Sequence, residues 1–229
     1  MKQPTTRTGI VGNADWMGIL MGKKVFIHGS GHKADSWQET ISHMAGNEDI
    51  LCPELCSLLD GKEASYANLY ASFAAFCEKL GGPIHLCGIS LGGILALNYA
   101  LDVPEKTKSL VLIGTPHKIP KAAFGIQNAI FRFLPKSMFE SMAFDKKDTF
   151  LLGNSMKNLD FSGRVHSITC PTLVICGQKD RANIKSAHDL ARQIKGAELN
   201  ILENTGHVVN EEQPKALADL LTAYYAWND

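Results

Sequence analysis

Three residues that together could activate a serine hydroxyl occur along the chain in the order Ser90, Asp180, His207. A serine hydroxyl is a weak nucleophile at neutral pH, and it needs a base within hydrogen-bond reach and a group that orients the base. The order serine, acid, histidine is the one expected when the nucleophile sits on a strand–turn–helix elbow. The predicted chemistry is acyl transfer, with Ser90 attacking a carbonyl, His207 accepting the proton and Asp180 orienting the imidazole.

The nucleophile candidate lies in the Gly-x-Ser-x-Gly pentapeptide Gly88–Gly92, between the apolar runs Ile84–Cys87 and Ile94–Leu97. This pattern predicts a strand, a sharp turn and a helix, with the Ser90 hydroxyl projecting from the edge of a sheet. The alternative is an ordinary serine on a glycine-rich turn, because the pentapeptide alone is a weak signal.

The base and acid candidates each follow a predicted strand, so we expect them at the same sheet edge as Ser90. His207 comes just after the last strand, and Asp180 follows the strand that ends at Cys176. Asp180 could equally be a turn residue or the N-cap of the next helix, and Asp160 and Asp102 are weaker candidates for the acid. Among the other histidines, we predict that His85 lies in the core. Four others are predicted to lie on the surface: His43, His117, His166 and His188.

An oxyanion hole is predicted from the segment His28–His32, which follows the first clear strand. The backbone N–H groups of Ser30 and Leu91 are the expected donors to the tetrahedral oxygen. The alternative is a plain glycine-rich turn. We also predict that four residues line the substrate pocket: His28, Gly29, His32 and Trp37. No metal site and no cofactor are predicted.

The elements that must position these residues alternate along the chain. We predict strands at 24–28, 49–52, 84–87, 109–114, 172–177 and 198–202, and helices at 36–44, 65–80, 91–100, 185–194 and 211–227. The first of these helices is predicted to open with a capping box at Ser36–Glu39. Short apolar strands alternating with helices indicate an α/β fold with a mostly parallel sheet that helices cover on both faces.

Residues 117–169 interrupt this alternation, since they lack an obvious strand and hold seven of the ten phenylalanines. We predict a helical cap or lid over the carboxyl ends of the strands, where ligands of parallel sheets bind. The alternative is a helical layer whose phenylalanines simply pack on the sheet. The predicted division is a core of residues 1–116 and 170–229 and a cap of residues 117–169.

Composition excludes several classes of protein. The 229 residues carry equal numbers of acidic and basic side chains, so nothing in the net charge favours nucleic acid or an anionic membrane as a partner. The N-terminus lacks the apolar segment of a signal peptide, and six cysteines in a chain this long do not indicate a disulfide framework. We therefore expect a cytoplasmic protein, monomeric or homodimeric, and the chemistry predicted for Ser90, Asp180 and His207 adds a small-molecule ester as its substrate.

The chain resembles the α/β-hydrolase superfamily, and serine carboxylesterases in particular. The matching segments are His28-Gly29 with Trp37 following, Gly88–Gly93, Pro171–Asp180, and Gly206-His207 followed by Glu211–Pro214. The resemblance implies an eight-stranded sheet, a Ser–Asp–His triad and a cap between the sixth and seventh strands, which residues 117–169 match. It also implies two strands before the His-Gly strand, yet Gly9–Gly12 is a poor strand, so the N-terminal strands are expected to be missing or reduced.

The serine at the elbow excludes the haloalkane dehalogenase and epoxide hydrolase branches, which carry aspartate there. The leading hypothesis is a serine carboxylesterase for small apolar substrates that forms an acyl-enzyme on Ser90. Three other enzymes remain open on the same triad: a thioesterase, a monoacylglycerol-type lipase and a carbon–carbon bond hydrolase. A non-catalytic ligand receptor with a retained triad is the alternative from another class, because a fold does not by itself imply chemistry.

Overall fold

A parallel sheet organises the protein. The structure is a computed structural model that describes residues 22–45, 49–119, 139 and 142–228. Within these residues, six strands pair in the order β2-β1-β3-β4-β5-β6, and every neighbouring pair is parallel. The strands are β1 (Lys24–Ile27), β2 (Ile50–Leu51), β3 (Ile84–Ile89), β4 (Thr107–Ile113), β5 (Thr172–Gly177) and β6 (Glu198–Leu202). The predicted fold class is therefore confirmed, and all six predicted strands are present.

Helices connect the strands. The described α-helices are α1 (Gln38–Ser42), α2 (Leu55–Leu58), α3 (Tyr66–Glu78), α4 (Leu91–Asp102), α5 (Lys146–Met156), α6 (Ile184–Gln193), α7 (Val209–Glu212) and α8 (Pro214–Asn228). Short 3-10 helices span Ala34–Trp37, Pro104–Lys106 and Val165–Ser167. The connection from β3 through α4 to β4 carries the predicted nucleophile at its start.

The core has two halves because both faces of the sheet are apolar. On β4, Leu110 and Leu112 pack into one cluster with α3, α4 and α6, whereas Val111 and Ile113 pack into the other with α8. Successive side chains of a strand point to opposite faces, so a continuous apolar run buries on both. This explains why the central strands contain no alternating polar positions and why three layers form.

Two helix predictions need correction. The predicted capping box at Ser36–Glu39 does not form, because the chain already turns as a 3-10 helix from Ala34, and Ser36 Oγ donates to the Lys33 carbonyl at 2.8 Å. The predicted helix 211–227 is two helices, α7 and α8. Proline lacks an N–H and is favoured at the first position of a helix, so α8 begins at Pro214.

The segment predicted to be a cap is described only in part. Residues 120–138 lie outside the described residues, and so do Phe124, Phe131 and Phe133. Phe144 and Phe161 are buried in the same apolar cluster as α4, and Phe139 is also buried. These three phenylalanines therefore pack against other side chains, as the layer alternative expects, and the division into core and cap stays a prediction.

Three further expectations from the sequence concern the N-terminal strands, membrane spans and the cysteines. The residues Gly9–Gly12 lie outside the described residues, so the expectation of missing N-terminal strands stays a prediction. None of the helices in the described part of the chain combines the length and the apolar character that a membrane span requires. The six cysteines, all within the described ranges, are free thiols.

Candidate active site

Ser90 occupies a strained turn between β3 and α4. Its backbone has φ 54° and ψ −114°, a region that costs a non-glycine residue about 1–3 kcal/mol and persists only where surrounding contacts enforce it. The Ser90 N–H donates to the Ile113 carbonyl at 2.9 Å, and the Ser90 carbonyl accepts from Ile94 N–H at 3.0 Å. A Cβ at Gly92 would overlap the Ile27 carbonyl, so α4 approaches β1 closely only because this residue is glycine.

The first turn of α4 supplies one predicted oxyanion donor. Leu91 is the first residue of this 12-residue helix, and the first N–H groups of a helix lack acceptors within it. The positive end of the helix dipole adds a favourable potential for an anion at the same place. The Leu91 N–H is therefore available beside Ser90.

His207 and Asp180 form a short hydrogen bond. The distance from His207 Nδ1 to Asp180 Oδ2 is 2.6 Å, and the side chain of Asp180 is 3% exposed whereas that of His207 is 39% exposed. Burial alone raises the pKa of Asp180, but hydrogen bonds from His207 and Asn183 outweigh it and lower the pKa below its usual value. A buried, ionised carboxylate fixes the proton on Nδ1 and leaves Nε2 of His207 free to accept one.

The two weaker acid candidates lie elsewhere. Asp160 pairs with Lys118 at 2.6 Å, and Asp102 pairs with Arg164 at 2.7 Å. Asp180 also meets the helix-cap expectation in part, since its Oδ1 accepts from the Asn183 N–H at 3.2 Å. One oxygen therefore orients the start of α6, while the other accepts from the imidazole.

Ser90 and the His207–Asp180 pair converge on the carboxyl end of β4. Gly114, the residue after Ile113, has φ 51°, and a Cβ there would lie 3.0 Å from His207 Nδ1 and 3.2 Å from Asp180 Oδ2. The described residues contain no hydrogen bond between Ser90 Oγ and His207 Nε2, and such bonds often tighten only when substrate binds. The structure thus brings the three predicted residues to one sheet edge, and their catalytic roles stay predictions.

Two residues at the site were not predicted from the sequence. Asn183 donates from Nδ2 to both oxygens of Asp180, at 3.0 Å and 2.9 Å. Glu212 accepts from the Gly206 N–H at 2.6 Å and from the Val208 N–H at 3.3 Å, so it holds the backbone on both sides of His207. The sequence contains the spacing Asp180-x-x-Asn183 and the pair Glu211-Glu212. Neither pattern predicts which groups these side chains would bond in the folded protein.

The predicted oxyanion loop lies against the nucleophile. A Cβ at Gly29 would lie 3.5 Å from Ser90 Cβ and 3.6 Å from His32 Nδ1. His32 is partly exposed, and its Nε2 lies 3.6 Å from Glu211 Oε1. Gly29, Ser30 and His32 therefore lie near Ser90, where the sequence placed them.

Three predictions about individual residues need correction. Trp37 was predicted to bind substrate, but it is fully buried and packs edge-on against Phe26, with 5.0 Å between ring centroids. His28 was also predicted to bind substrate, and it is fully buried. His117 was predicted to lie on the surface, but it is buried and its Nδ1 lies 2.7 Å from Ser186 Oγ.

The remaining histidines lie where they were expected. His85 is a buried core residue whose Nδ1 lies 2.7 Å from Ser109 Oγ. His43, His166 and His188 are exposed. None of these four forms a hydrogen bond or ion pair with His207 or Asp180, and His207 is the histidine that pairs with Asp180.

The parallel sheet, the serine elbow and the histidine–carboxylate pair together define the class of α/β hydrolases. A sequence model described as the alpha/beta hydrolase family matches residues 25–220, and the chain belongs to that family. It is 24% identical to monoacylglycerol lipase abhd6-A of Xenopus laevis, over 87% of this chain and 74% of that protein.

Two further comparisons agree with this assignment. The chain is 26% identical to 2-hydroxy-6-oxononadienedioate/2-hydroxy-6-oxononatrienedioate hydrolase of Klebsiella pneumoniae, over 88% of this chain and 86% of that protein. A thermophilic esterase from Thermogutta terrifontis superposes with a TM-score of 0.73 at 19% identity, over 90% of this chain and 91% of that one. The esterase shows the shared fold.

Proposed function

We propose that the protein is a serine hydrolase that cleaves carboxylic esters of small apolar substrates through an acyl-enzyme on Ser90. The observation that carries the proposal is the 2.6 Å bond between His207 Nδ1 and Asp180 Oδ2 at the sheet edge where the elbow presents Ser90. A buried carboxylate bonded to an accessible imidazole is the arrangement that turns a histidine into a general base.

The proposed reaction has two halves. Ser90 Oγ attacks the ester carbonyl and passes its proton to His207 Nε2, while the Ser30 and Leu91 N–H groups donate to the oxyanion. The protonated imidazole then gives that proton to the leaving alcohol, and an acyl-enzyme remains. In the second half His207 takes a proton from water, the hydroxide attacks the acyl carbon, and Ser90 leaves with the proton.

The proposed preference for apolar substrates comes from the segment predicted to be a cap. It depends on the phenylalanine-rich composition of residues 117–169, of which Phe139, Phe144 and Phe161 are buried. Its remaining support is the half-buried Phe150 together with Phe124, Phe131 and Phe133, which lie outside the described residues. A monoacylglycerol would suit the same apolar segment, and the named activity of the Xenopus relative favours it as a substrate.

Hydrolysis of a carbon–carbon bond is the second candidate reaction. It is favoured by the Klebsiella relative, whose name specifies 2-hydroxy-6-oxononadienedioate and 2-hydroxy-6-oxononatrienedioate as its substrates. Such a reaction would use the same Ser90 elbow on a ketone carbonyl.

The cytoplasmic location and the monomeric or dimeric state remain proposals from composition alone.

Turnover of p-nitrophenyl acetate and p-nitrophenyl butyrate tests the ester proposal. We expect hydrolysis that Ser90→Ala abolishes, and covalent labelling of Ser90 by a fluorophosphonate. A panel with monoacylglycerols and a 2-hydroxy-6-oxo dienoic acid separates the candidates. Labelling of Ser90 with turnover of the dienoic acid alone would replace the ester proposal, and no labelling and no turnover would favour a non-catalytic receptor.

A further inference from the structure

His28 is a buried titratable side chain that the proposed reaction does not use. Its Nδ1 lies 2.8 Å from the Gly29 carbonyl oxygen. A carbonyl oxygen only accepts hydrogen bonds, so Nδ1 carries a proton and donates to Gly29 in either charge state of the ring. His28 is therefore a fixed donor directly beneath the predicted oxyanion loop.

This bond is the shorter of two that hold the peptide group carrying the Ser30 N–H, because the Gly29 carbonyl also accepts from the His32 N–H at 3.3 Å. The Gly29 carbonyl and the Ser30 N–H belong to the same peptide unit, which is planar and trans. The two groups therefore point in opposite directions, and a donor that holds the carbonyl oxygen also sets the direction of the N–H. The Gly29 carbonyl is held toward the buried His28 ring, so the Ser30 N–H points away from that ring. Gly29 itself lies against Ser90.

The other side of the ring is held by a different part of the chain. The Leu55 N–H donates to His28 Nε2 at 3.0 Å, and Glu54 Oε1 lies 3.1 Å from the same nitrogen. The other oxygen of Glu54 accepts from the Ala34 N–H at 3.0 Å. The start of α2 and the segment after the loop thus fix the ring from behind, so it cannot rotate away from Gly29.

Burial favours the neutral form of the His28 ring. Burial lowers the pKa of His28, against the opposing effects of the Gly29 hydrogen bond and the Glu54 charge. A neutral imidazole with its proton on Nδ1 accepts at Nε2, which matches the Leu55 N–H. The two ring nitrogens therefore act as one bridge between α2 and the Gly29–Ser30 peptide.

We propose that His28 is a positioning residue that aims the Ser30 N–H at the oxyanion by holding the Gly29 carbonyl. This proposal rests on the proposed function, because it concerns the transition state of acyl transfer. It replaces the sequence-based prediction that His28 contacts substrate, since a fully buried ring acts on the reaction only through the peptide it holds.

Two substitutions separate this role from packing. In His28→Asn the side-chain amide nitrogen takes nearly the place of Nδ1, so the donor to Gly29 is kept and the acceptor for Leu55 is lost. In His28→Gln the amide oxygen reaches nearly the place of Nε2, so the acceptor for Leu55 is kept and the donor to Gly29 is lost. Both variants remove the ring, and each therefore serves as the control for the packing defect of the other.

We expect His28→Gln to lower kcat for p-nitrophenyl butyrate by about 10- to 100-fold with little change in KM, because a donor misplaced by about 1 Å can cost about 100-fold. His28→Asn should keep kcat within a few-fold of the wild type. A purely structural role would lower the thermal stability of both variants and leave their kcat values per folded molecule alike. Equal kcat values, or a greater loss in His28→Asn, would overturn the proposal.

Crystal structures of the two variants give a readout that does not depend on activity. We expect the Gly29–Ser30 peptide to keep its orientation in His28→Asn and to turn in His28→Gln. If the wild type hydrolyses no ester while the peptide turns only in His28→Gln, the proposed function fails and the positioning by His28 stands. A peptide that keeps its orientation in His28→Gln overturns the positioning, whatever the activity.

Discussion

Among the histidine–carboxylate pairs at the carboxyl edge of the sheet, His28–Glu54 and His207–Asp180 have opposite exposures. In the pair at the end of β1, the His28 side chain is fully buried and Glu54 is 28% exposed. In the pair beyond β5 and β6, Asp180 is 3% exposed and His207 is 39% exposed. The His207–Asp180 contact is a hydrogen bond of 2.6 Å, whereas His28 Nε2 lies 3.1 Å from Glu54 Oε1 and accepts a hydrogen bond from the Leu55 N–H instead.

In each pair, the buried member decides which group a ligand could reach. A buried carboxylate loses its alternative donors in water, so it holds the imidazole firmly while the exposed ring stays accessible. A buried imidazole meets only protein groups, and it can affect the reaction only through the backbone it holds. The following predictions test this contrast, beginning with the largest expected effect.

Removal of the exposed histidine should have the largest effect on catalysis. We expect His207→Ala to lower kcat for p-nitrophenyl butyrate by about 10⁶-fold, because losing the base of a triad costs about as much as losing the whole triad. The unfolding temperature should fall as well, because the buried Asp180 carboxylate loses a hydrogen-bond donor. The matched control is His43→Ala, another exposed histidine, which should keep full activity. A His207→Ala enzyme within tenfold of the wild type would break the assignment.

Neutralising the buried carboxylate should cost less. Asp180→Asn is expected to lower kcat by about 10⁴-fold, because the amide favours the wrong imidazole tautomer. The pKa of Asp180 is lowered in the folded state, so its carboxylate stabilises the fold above the unfolded pKa of about 3.9 and loses this contribution as the pH falls through the folded pKa. Denaturant titrations should show wild type and Asp180→Asn converging below about pH 4, and a difference that grows at low pH would contradict this.

Trp37 tests whether a buried residue near the site affects chemistry or only stability. Replacement of a buried tryptophan by alanine costs about 3–5 kcal/mol in free energy of unfolding, and we expect this for Trp37→Ala in urea denaturation. The kcat per folded molecule should stay near the wild-type value. Trp227, which is 90% exposed, supplies the control, since Trp227→Ala should cost less than about 0.5 kcal/mol.

Asn183 tests how firmly the Asp180 carboxylate of the exposed pair must be held. Hydrogen bonds to charged groups contribute about 1.5–3 kcal/mol, and Asn183→Ala removes those that hold both oxygens of Asp180. We expect kcat to fall about tenfold, since the carboxylate remains but is less firmly oriented. Lys185→Ala, at an exposed position on the same helix, should leave kcat unchanged, and an equal loss in both variants would indicate a general defect of α6.

The smallest expected effect is the pH dependence of stability caused by His28. Its pKa is lowered in the folded protein, so the unfolded chain binds this proton first and stability falls as the pH drops below about 6.5. The charged and titratable neighbours of the ring are Glu54 and His32. In His28→Asn, the free energy of unfolding should depend less on pH between about 7 and 5. His43→Asn should keep the wild-type slope, and an unchanged slope in His28→Asn would contradict a neutral buried ring.

Local sequence patterns predicted much of the fold. Apolar runs such as Leu110–Ile113 predicted central strands because a strand buried on both faces needs no polar positions. The start of α1 was misplaced, because the 3-10 turn from Ala34 is a tertiary outcome that the Ser36–Glu39 pattern does not encode. The single predicted helix at 211–227 was wrong for a local reason, since Pro214 could have been read as a helix start.

The sequence predicted only those residues of the candidate site whose chemistry follows from their residue type. The pentapeptide around Ser90 and the strand-end positions of Asp180 and His207 sufficed to predict their convergence. Asn183 and Glu212 were missed because their roles depend on which backbone groups and oxygens lie within 3 Å in the folded chain. His28 and Trp37 were misassigned to the substrate pocket because proximity to the site in sequence does not give exposure.

Residue types and short-range periodicity were enough to predict the order of the candidate nucleophile, acid and base, the α/β fold class and the elbow glycines. Only the tertiary structure decided that Asp180 is buried while His207 is accessible, and that His28 faces inward. Burial depends on which distant segments pack together, here α2 behind His28 and the ends of β4 and β5 around Asp180 and His207. The same residue types therefore yield a candidate base at one strand end and a buried support at another.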